Sequence, residues 1–122
     1  MTAAHVGRLG ESLVSAWFAI RGYRILARNW RCDRGELDLV AFRNGVLCFV
    51  EVKSHRRRRS RHPGEALTWT KRKRIVMAAQ HYLHVFKPLY RCVQFGLVEV
   101  TLLPFPRLTV ILDAFRADEV RD

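Results

Sequence analysis

Apolar and polar residues alternate most regularly over residues 35–54, which read GELDLVAFRNGVLCFVEVKS. The alternation has the period of two that is typical of β-strands, and it is interrupted once, at Asn44 and Gly45. Both of these residue types tolerate the positive φ angles of a type I′ turn. The pattern therefore predicts a β-hairpin in which residues 37–42 pair with residues 46–53.

Two other stretches have the 3.6-residue period of amphipathic helices. The first covers residues 8–21 and is followed by Gly22, a typical helix stop. The second covers residues 71–86, with Thr70 as its N-cap and Pro88 after its end. The predicted buried face of the first helix is Leu9, Leu13, Ala16, Trp17 and Ile20. The predicted buried face of the second is Ile75, Ala78, Ala79, Tyr82, Leu83 and Phe86.

Three further stretches have the composition of strands: residues 23–30, 92–103 and 107–112. Residues 29–35 are predicted to form a turn, and residues 113–115 to begin a short charged tail. The elements then run helix, three strands, helix, two strands. Because strand–helix–strand connections are right-handed crossovers, the fourth strand should lie parallel to the third. We expect an α/β fold in which helices flank a small mixed sheet, as a single domain over residues 1–122.

Charge is distributed unevenly along the chain, which has 22 Lys and Arg residues, 11 Asp and Glu residues and a formal net charge of +11. Between Lys53 and Arg74 there are ten basic residues and one acid, Glu65, so this window carries +9. Such a patch attracts polyanions. An acidic membrane surface is disfavoured because the window has no amphipathic helix with an aromatic face opposite its cations. We expect nucleic acid as the partner, with DNA preferred and an RNA-associated protein as the weaker alternative.

The residues expected to bind the nucleic acid are Arg56, Arg57, Arg58, Arg59, Arg61, Lys71 and Lys73. Residues 54–66 are predicted to form a flexible basic loop, because Pro63-Gly64 favours a turn and four consecutive arginines cannot all find protein partners. His55 and His62 match no metal-binding spacing and are expected to be solvated in this loop. Cations in the first turn of the second helix indicate either a phosphate nearby or an ordinary exposed turn.

Acidic residues are scarce, yet three of them gather around the hairpin. Glu51 and Lys53 share one face of their strand, and the hairpin brings Asp38 to the same end. Charged groups in line with apolar residues are costly unless they are paired or bind a metal. A buried ion pair, a solvated strand end and a metal-dependent active site all fit this pattern; the position beside the basic window favours the last. Asp33 and Glu36 are further candidates for the metal shell.

The three cysteines, Cys32, Cys48 and Cys92, are odd in number and have no C-x-x-C spacing, so we expect reduced thiols rather than disulfides or a zinc site. No apolar run approaches the length of a membrane span, and the first residues lack a signal-peptide core. We therefore expect a cytoplasmic protein. A homodimer is left open, because an exposed edge strand could pair with a second copy.

The segment Asp38…Glu51-Val52-Lys53 resembles the signature of the PD-(D/E)XK nuclease superfamily, which shares a restriction-endonuclease-like αβββαβ core. More closely, the chain resembles the uncharacterised YraN-like bacterial family. The residues that carry this resemblance are Gly10-Glu11 with Ala16, Gly22-Tyr23, Asn29, Gly35-Glu36-Leu37-Asp38-Leu39, Phe49-Val50-Glu51-Val52-Lys53, Thr70-Lys71 and Asp113-Ala114-Phe115.

The resemblance implies a nuclease that uses Mg²⁺ or Mn²⁺ to hydrolyse phosphodiester bonds in DNA, with branched or repair-intermediate DNA as candidate substrates. It implies that Asp38 and Glu51 bind the metal and that Lys53 is the catalytic lysine. It also adds Glu11 to the catalytic residues, since the branch similar to junction resolvases uses a glutamate in the first helix. From its position alone, Glu11 is a helix-dipole acid.

One departure from the family pattern leaves a second function open. Family members usually carry Arg-Phe-Asp at the start of the fourth strand, where this chain has Gln94, Phe95 and Gly96. The alternative is a catalytically inactive nucleic-acid-binding protein that keeps the nuclease fold.

Overall fold

The computed structural model describes residues 1–58 and 67–120. Its elements are helix α1 (Ala3–Ile20), strands β1 (Arg24–Cys32), β2 (Gly35–Arg43) and β3 (Val46–Arg57), helix α2 (Trp69–Phe86), strands β4 (Cys92–Leu103) and β5 (Arg107–Phe115), and a short 3₁₀ helix, η1 (Ala117–Val120). The predicted order of helix, three strands, helix and two strands is confirmed.

The five strands form one sheet in the order β1-β2-β3-β4-β5. Strands β3 and β4 pair in parallel, and the other neighbours pair antiparallel. Helix α2 makes the crossover between β3 and β4, as predicted. At the predicted hairpin turn, Asn44 and Gly45 have φ angles of 51° and 80°. Arg43 pairs with Val46 and Leu39 with Val50, which confirms the hairpin and its register.

Each face of the sheet carries its own hydrophobic core. The core under α2 includes Leu47, Phe49, Ile75, Tyr82, Phe95 and Leu97. The core under α1 includes Val14, Phe18, Leu39, Val50, Val98 and Val100. The predicted small mixed sheet flanked by helices is therefore confirmed. The alternation along β3, and along β2 from Leu39 onward, divides the side chains between the two cores, whereas Leu37 and Leu39 lie in different cores although they are two residues apart.

Helix α1 begins earlier than predicted, and its fully buried residues differ from the predicted ones, although Leu13 and Trp17 do pack against the core. It starts at Ala3, because Thr2 caps it and forms a reciprocal capping box with His5. Its buried residues are Val6, Gly10, Val14 and Phe18. Leu9 and Ile20, predicted to be buried, are 44% and 81% exposed. The reason is Gly10: a Cβ there would overlap the Ser54 side chain, so α1 packs on β3 through a residue that a hydrophobicity pattern does not count.

Helix α2 also begins earlier than predicted. Its N-cap is Thr68 rather than Thr70, and the Thr68 hydroxyl accepts a hydrogen bond from the Lys71 N–H at 3.2 Å. The helix ends at Phe86, before Pro88, as predicted. Phe86 was expected in the core but is 54% exposed.

Two strands extend further than their polar sequences indicated. Strand β3 continues to Arg57, and His55 pairs with Thr101 of β4, so the prediction that the loop begins at residue 54 is wrong. Strand β5 continues to Phe115, which is buried and stacks on Phe95 at 5.0 Å, so residues 113–115 are not a tail. Backbone pairing continues in both places because it does not require apolar side chains.

The remaining part of the predicted loop, with Arg59, Arg61 and His62, lies outside the described residues. The predicted first strand and turn are also shifted, because β1 runs on to Cys32.

The three cysteines are free: Cys48 is buried, Cys32 is half-buried and Cys92 is exposed. Burial raises the pKa of the Cys48 thiol to about 12, with a smaller contribution from the Asp113 carboxylate, so this thiol is unreactive. Across residues 1–58 and 67–120, no helix is long and apolar enough to span a bilayer.

Candidate active site

A cavity of about 540 Å³ opens where β2 and β3 meet the first turns of α2. Its lining residues are Arg31, Cys32, Gly35, Glu36, Asp38, Glu51, Lys53, Lys71, Arg74 and Ile75. The structure therefore brings Asp38, Glu51 and Lys53 into one cavity. The β-sheet supplies the acids and one lysine, and α2 supplies two cations on the other wall.

The Asp38 carboxylate is held by the backbone of the neighbouring strand. The regular β2–β3 register ends with Leu39 opposite Val50. One step beyond, the Val52 N–H donates a hydrogen bond to Asp38 Oδ2 at 2.8 Å. A side-chain oxygen thus takes a hydrogen bond from the strand at the point where the regular pairing stops, and this fixes the orientation of the carboxylate.

The surroundings of Asp38 favour its protonated form. Burial and the nearby Glu51 carboxylate raise the Asp38 pKa from 3.8 to about 7, with smaller contributions from Glu11 and Glu36. The hydrogen bond from Val52 acts in the opposite direction. Desolvation and like charges both penalise the ionised carboxylate, and a bound cation would relieve both effects.

The donor set available to such a cation is small. Within the described ranges, no group of three or more His, Cys, Asp or Glu side chains is arranged closely enough to hold a metal ion. Asp38, Glu51 and Glu36 are the carboxylates that line the cavity, and Glu36 is paired with Arg31, which leaves Asp38 and Glu51 beside Lys53 as the candidate ligands. Mg²⁺ is commonly held by one or two carboxylates and completes its shell with water and substrate phosphate. The residues present fit that mode of binding.

Lys53 is positioned by an ion pair within its own strand. Its Nζ lies 3.4 Å from Glu51 Oε1, and the two side chains are 25% and 17% exposed. On the next strand, Glu99 is the register partner of Lys53, and its Oε2 lies 4.0 Å from His55 Nε2. His55 was expected to be solvated in a loop, but its side chain is only 15% exposed. Acidic and basic groups therefore alternate around Lys53.

The other predicted acids occupy different positions. Glu11, on α1 next to Gly10, is half-buried and acts on Asp38 through its charge, but it does not line the cavity. Glu36 lines the cavity and forms an ion pair with Arg31 at 3.5 Å. Asp33 is exposed and lies outside the cavity.

The predicted nucleic-acid-binding residues fall into separate groups. Lys71 lines the cavity, whereas the Lys73 ammonium lies over the Trp69 ring, 4.8 Å from its centroid. Arg56, Arg57 and Arg58 are exposed at the end of β3 and just after it. Arg59 and Arg61 lie outside the described residues.

Sequence reasoning missed two cations that line the cavity, Arg31 and Arg74. Arg74 could have been found, because it lies three residues after Lys71 and so shares its side of the helix. Arg31 could have been found if β1 had been predicted to continue to Cys32, since Arg31 is then the register partner of Glu36.

The backbones of β2 and α2 come close together at this cavity. A Cβ added to Gly35 would lie 2.9 Å from the carbonyl oxygen of Arg74. Only glycine allows this approach without a shift of the helix.

The two positions that depart from the family pattern lie elsewhere. Gln94 lines a second cavity, between α2 and the last strands, together with Asp113. Gly96 is buried, and a Cβ there would lie 3.3 Å from Cys48 Sγ and 3.4 Å from the carbonyl oxygen of Ile111. The departure therefore leaves the residues of the candidate site in place.

The fold and this site define a small α/β protein whose five-stranded mixed sheet carries a charged cavity at the end of its central hairpin. A sequence profile of the uncharacterised protein family UPF0102 matches residues 10–111, and the chain belongs to this family. This membership confirms the resemblance to the YraN-like family.

Relatives in several bacteria share the family name. A UPF0102 protein of Symbiobacterium thermophilum is 43% identical over 114 residues, which cover 92% of this chain and 97% of the relative. A UPF0102 protein of Clostridium perfringens is 33% identical over 114 residues, which cover 91% and 93%. A UPF0102 protein of Oleidesulfovibrio alaskensis is 47% identical over 100 residues, and there the match spans 80% of this chain but half of the relative.

Proposed function

We propose that this protein is a nuclease of the PD-(D/E)XK superfamily that uses Mg²⁺ or Mn²⁺ to hydrolyse phosphodiester bonds in DNA. The observation that carries the proposal is that Asp38, Glu51 and Lys53 line the same cavity as the cations Lys71 and Arg74. Carboxylates suit a divalent cation and basic side chains suit phosphates, so one cavity offers partners for both.

Asp38 and Glu51 would hold the metal ion. Burial, and then the charge of Glu51, already raise the Asp38 pKa to about 7, and a divalent cation would offset this penalty. When bound, the ion would supply positive charge at the scissile phosphate and a source of activated water. The Val52 N–H would keep the Asp38 carboxylate oriented during turnover.

The basic residues would act on the substrate. The Lys53 ammonium, held 3.4 Å from Glu51, would orient the attacking water or neutralise the charge that develops at phosphorus. Lys71 and Arg74 would bind the flanking phosphates, and such contacts give affinity without sequence preference. Glu11, on α1, would add negative charge near Asp38 and Glu51.

The proposal is tested by incubating the protein with labelled linear, flapped and four-way DNA in Mg²⁺ or Mn²⁺. We expect the wild type to cut at least one substrate. Asp38→Ala and Lys53→Ala should reduce the rate by about 100-fold or more, the usual effect of removing one group that stabilises a transition state. Asp33→Ala is the matched control, because Asp33 is an exposed acid outside the cavity, and it should cut like the wild type.

Equal cutting by the wild type, Asp38→Ala and Lys53→Ala would exclude this site. Calorimetric titration of Mn²⁺ into the wild type, Asp38→Ala and Glu51→Ala, with a short DNA duplex present, separates metal binding from chemistry. Absence of metal binding and of cleavage, with salt-sensitive DNA binding that survives Asp38→Ala, would favour the catalytically inactive nucleic-acid-binding protein instead.

A further inference from the structure

Trp69 is the first residue of α2 and holds a large aromatic ring in solvent. It is 49% exposed, whereas the rings of Trp17 and Trp30 pack in edge-to-face contacts against Phe18 and Tyr82. Single exposed apolar residues are common on protein surfaces, so exposure alone indicates nothing. Trp69 differs from such isolated residues because it lies at the N-terminal end of α2 and is close to several cations.

The first turn of α2 places this ring among cations. The Lys73 ammonium lies 4.8 Å from the ring centroid, which is a cation–π contact. Beneath it, Arg72 anchors the turn by donating a hydrogen bond to the Leu67 carbonyl at 2.9 Å and by pairing with Glu119 at 3.6 Å. Lys71 and Arg74 lie on a different side of this helix end from Trp69, and they line the candidate active site, so a strand that reaches both must pass round the first turn of α2.

We infer that Trp69 is a stacking platform for an unpaired base of a DNA strand whose phosphates are bound by Lys71, Lys73 and Arg74. This inference rests on the proposed nuclease function and adds the class of substrate, which is DNA with a single-stranded segment such as a flap, a gap or a branch. Aromatic side chains flanked by cations are the usual means by which proteins bind single strands without reading their sequence.

The preference for unpaired bases follows from how a duplex is built. Inside a duplex, each base is already stacked on its neighbours and offers no free face to an indole. A splayed or single-stranded base does offer one. The ring of Trp69 would therefore add affinity for a single strand, whereas the cations would bind the phosphates of either form.

The chain offers a matched control at the other end of the same helix. Tyr90 is also an exposed aromatic residue, 44% accessible, and is followed by Arg91. It lies four residues after the C-terminal end of α2, a helix of 18 residues that is roughly 27 Å long at 1.5 Å per residue. If DNA bound to any exposed aromatic residue, replacing either Trp69 or Tyr90 would weaken binding. If the binding site is formed by the first turn of α2, only replacement of Trp69 should weaken it.

The test measures binding in the presence of a metal chelator, so that no cleavage occurs. A labelled single strand and a blunt duplex of equal length are titrated with protein and followed by fluorescence anisotropy. Trp69→Ala should weaken binding of the single strand about tenfold or more and leave duplex binding unchanged. Trp69→Phe should bind like the wild type, because a phenyl ring also stacks, and Tyr90→Ala should have no effect.

Intrinsic fluorescence gives a second measurement. The single strand should quench tryptophan emission of the wild type, and Trp69→Phe should remove most of that quenching while keeping the affinity. Unchanged single-strand binding by Trp69→Ala, or an equal loss for the duplex, would overturn the inference. Tighter binding of an RNA strand of the same sequence would overturn the assignment to DNA.

The result of the Trp69 binding test is independent of the result of the cleavage test. The stacking test is done in chelator and compares Trp69 variants, whereas the cleavage test needs the metal ion and compares variants of Asp38 and Lys53. Failure of the cleavage test would therefore reject the nuclease and leave the stacking result standing. Loss of the stacking effect alone would leave the nuclease with a different substrate class.

Discussion

The Asp38 carboxyl couples the charge of the site to the stability of the fold. Its pKa is raised from 3.8 to about 7, first by burial and then by Glu51. Between these two pH values the folded protein binds more protons at this position than the unfolded chain does. The contribution of Asp38 to stability is therefore fully present in acid and is lost as the pH rises towards 7.

We predict that, without divalent ions, the free energy of unfolding of the wild type falls between about pH 4 and pH 7, with a slope from Asp38 of up to about 1.4 kcal/mol per pH unit. Asp38→Asn should remove this contribution, because the amide does not titrate. Urea unfolding at several pH values measures both slopes. Asp33→Asn should keep the wild-type slope, since Asp33 is exposed. Parallel pH profiles for the wild type and Asp38→Asn would contradict the prediction.

The identity of the central charged residues was predictable from the sequence, but their environment was not. Alternation and the Asn-Gly turn decide that Glu51 and Lys53 share a face and that Asp38 joins them. The hydrogen bond from Val52 to Asp38 depends on where the β2–β3 pairing ends, which no local pattern encodes. The docking of α2, which brings Arg74 to the cavity, is likewise a tertiary contact.

Helix α1 is positioned on β3 by the absence of a side chain. Gly10 lies against Ser54, and a Cβ at Gly10 would overlap the serine side chain. Gly7, one turn earlier, has nothing within 4 Å of where its Cβ would be. The same substitution in the same helix therefore has opposite consequences at the two positions.

We predict that Gly10→Ala destabilises the protein by about 1–3 kcal/mol, the usual cost of overpacking. Gly7→Ala should be neutral or stabilising by up to about 1 kcal/mol, because alanine has the higher helix propensity. Chemical denaturation of both variants tests the pair, and Ser54→Gly should recover part of the loss in Gly10→Ala. Equal stability of the two alanine variants would show that α1 does not pack through Gly10.

Element order could be read from the sequence, whereas element extent and orientation could not. The crossover rule correctly placed β4 parallel to β3. The prediction for α1 was partly wrong because Leu9 and Ile20 mimic a core stripe, while the true contact uses Gly10. The ends of β3 and β5 were wrong because backbone pairing continues through charged residues and does not require apolar side chains.

At the scale of the whole molecule, the net charge of +11 favours binding of nucleic acid, and the affinity of such binding depends on salt concentration. Each phosphate neutralised by a cation releases counterions, so the logarithm of affinity falls linearly with the logarithm of salt concentration. Arg56, Arg57 and Arg58 are exposed at the end of β3 and are the described part of the arginine run.

We predict that replacing Arg56, Arg57 and Arg58 together by Ser makes the slope of log affinity against log salt concentration shallower by about 2 or more. This change corresponds to the loss of about two phosphate contacts. Binding isotherms at several salt concentrations measure the slope. Arg21→Ser is a suitable control, because the Arg21 guanidinium lies 3.8 Å from the Trp17 ring centroid and donates to the Trp17 carbonyl. Unchanged affinity and slope in the triple variant would assign DNA binding to other surfaces.

The close approach of Gly35 to the Arg74 carbonyl has a consequence for the width of the cavity. Side chains around a cavity can usually change rotamer to admit a larger group, but two backbones in contact have no such freedom. The spacing between the β2 and α2 backbones at this edge of the cavity is thus set by the main chain. A larger residue at position 35 would have to move the helix, so the width of the cavity at this edge depends on the absence of one side chain.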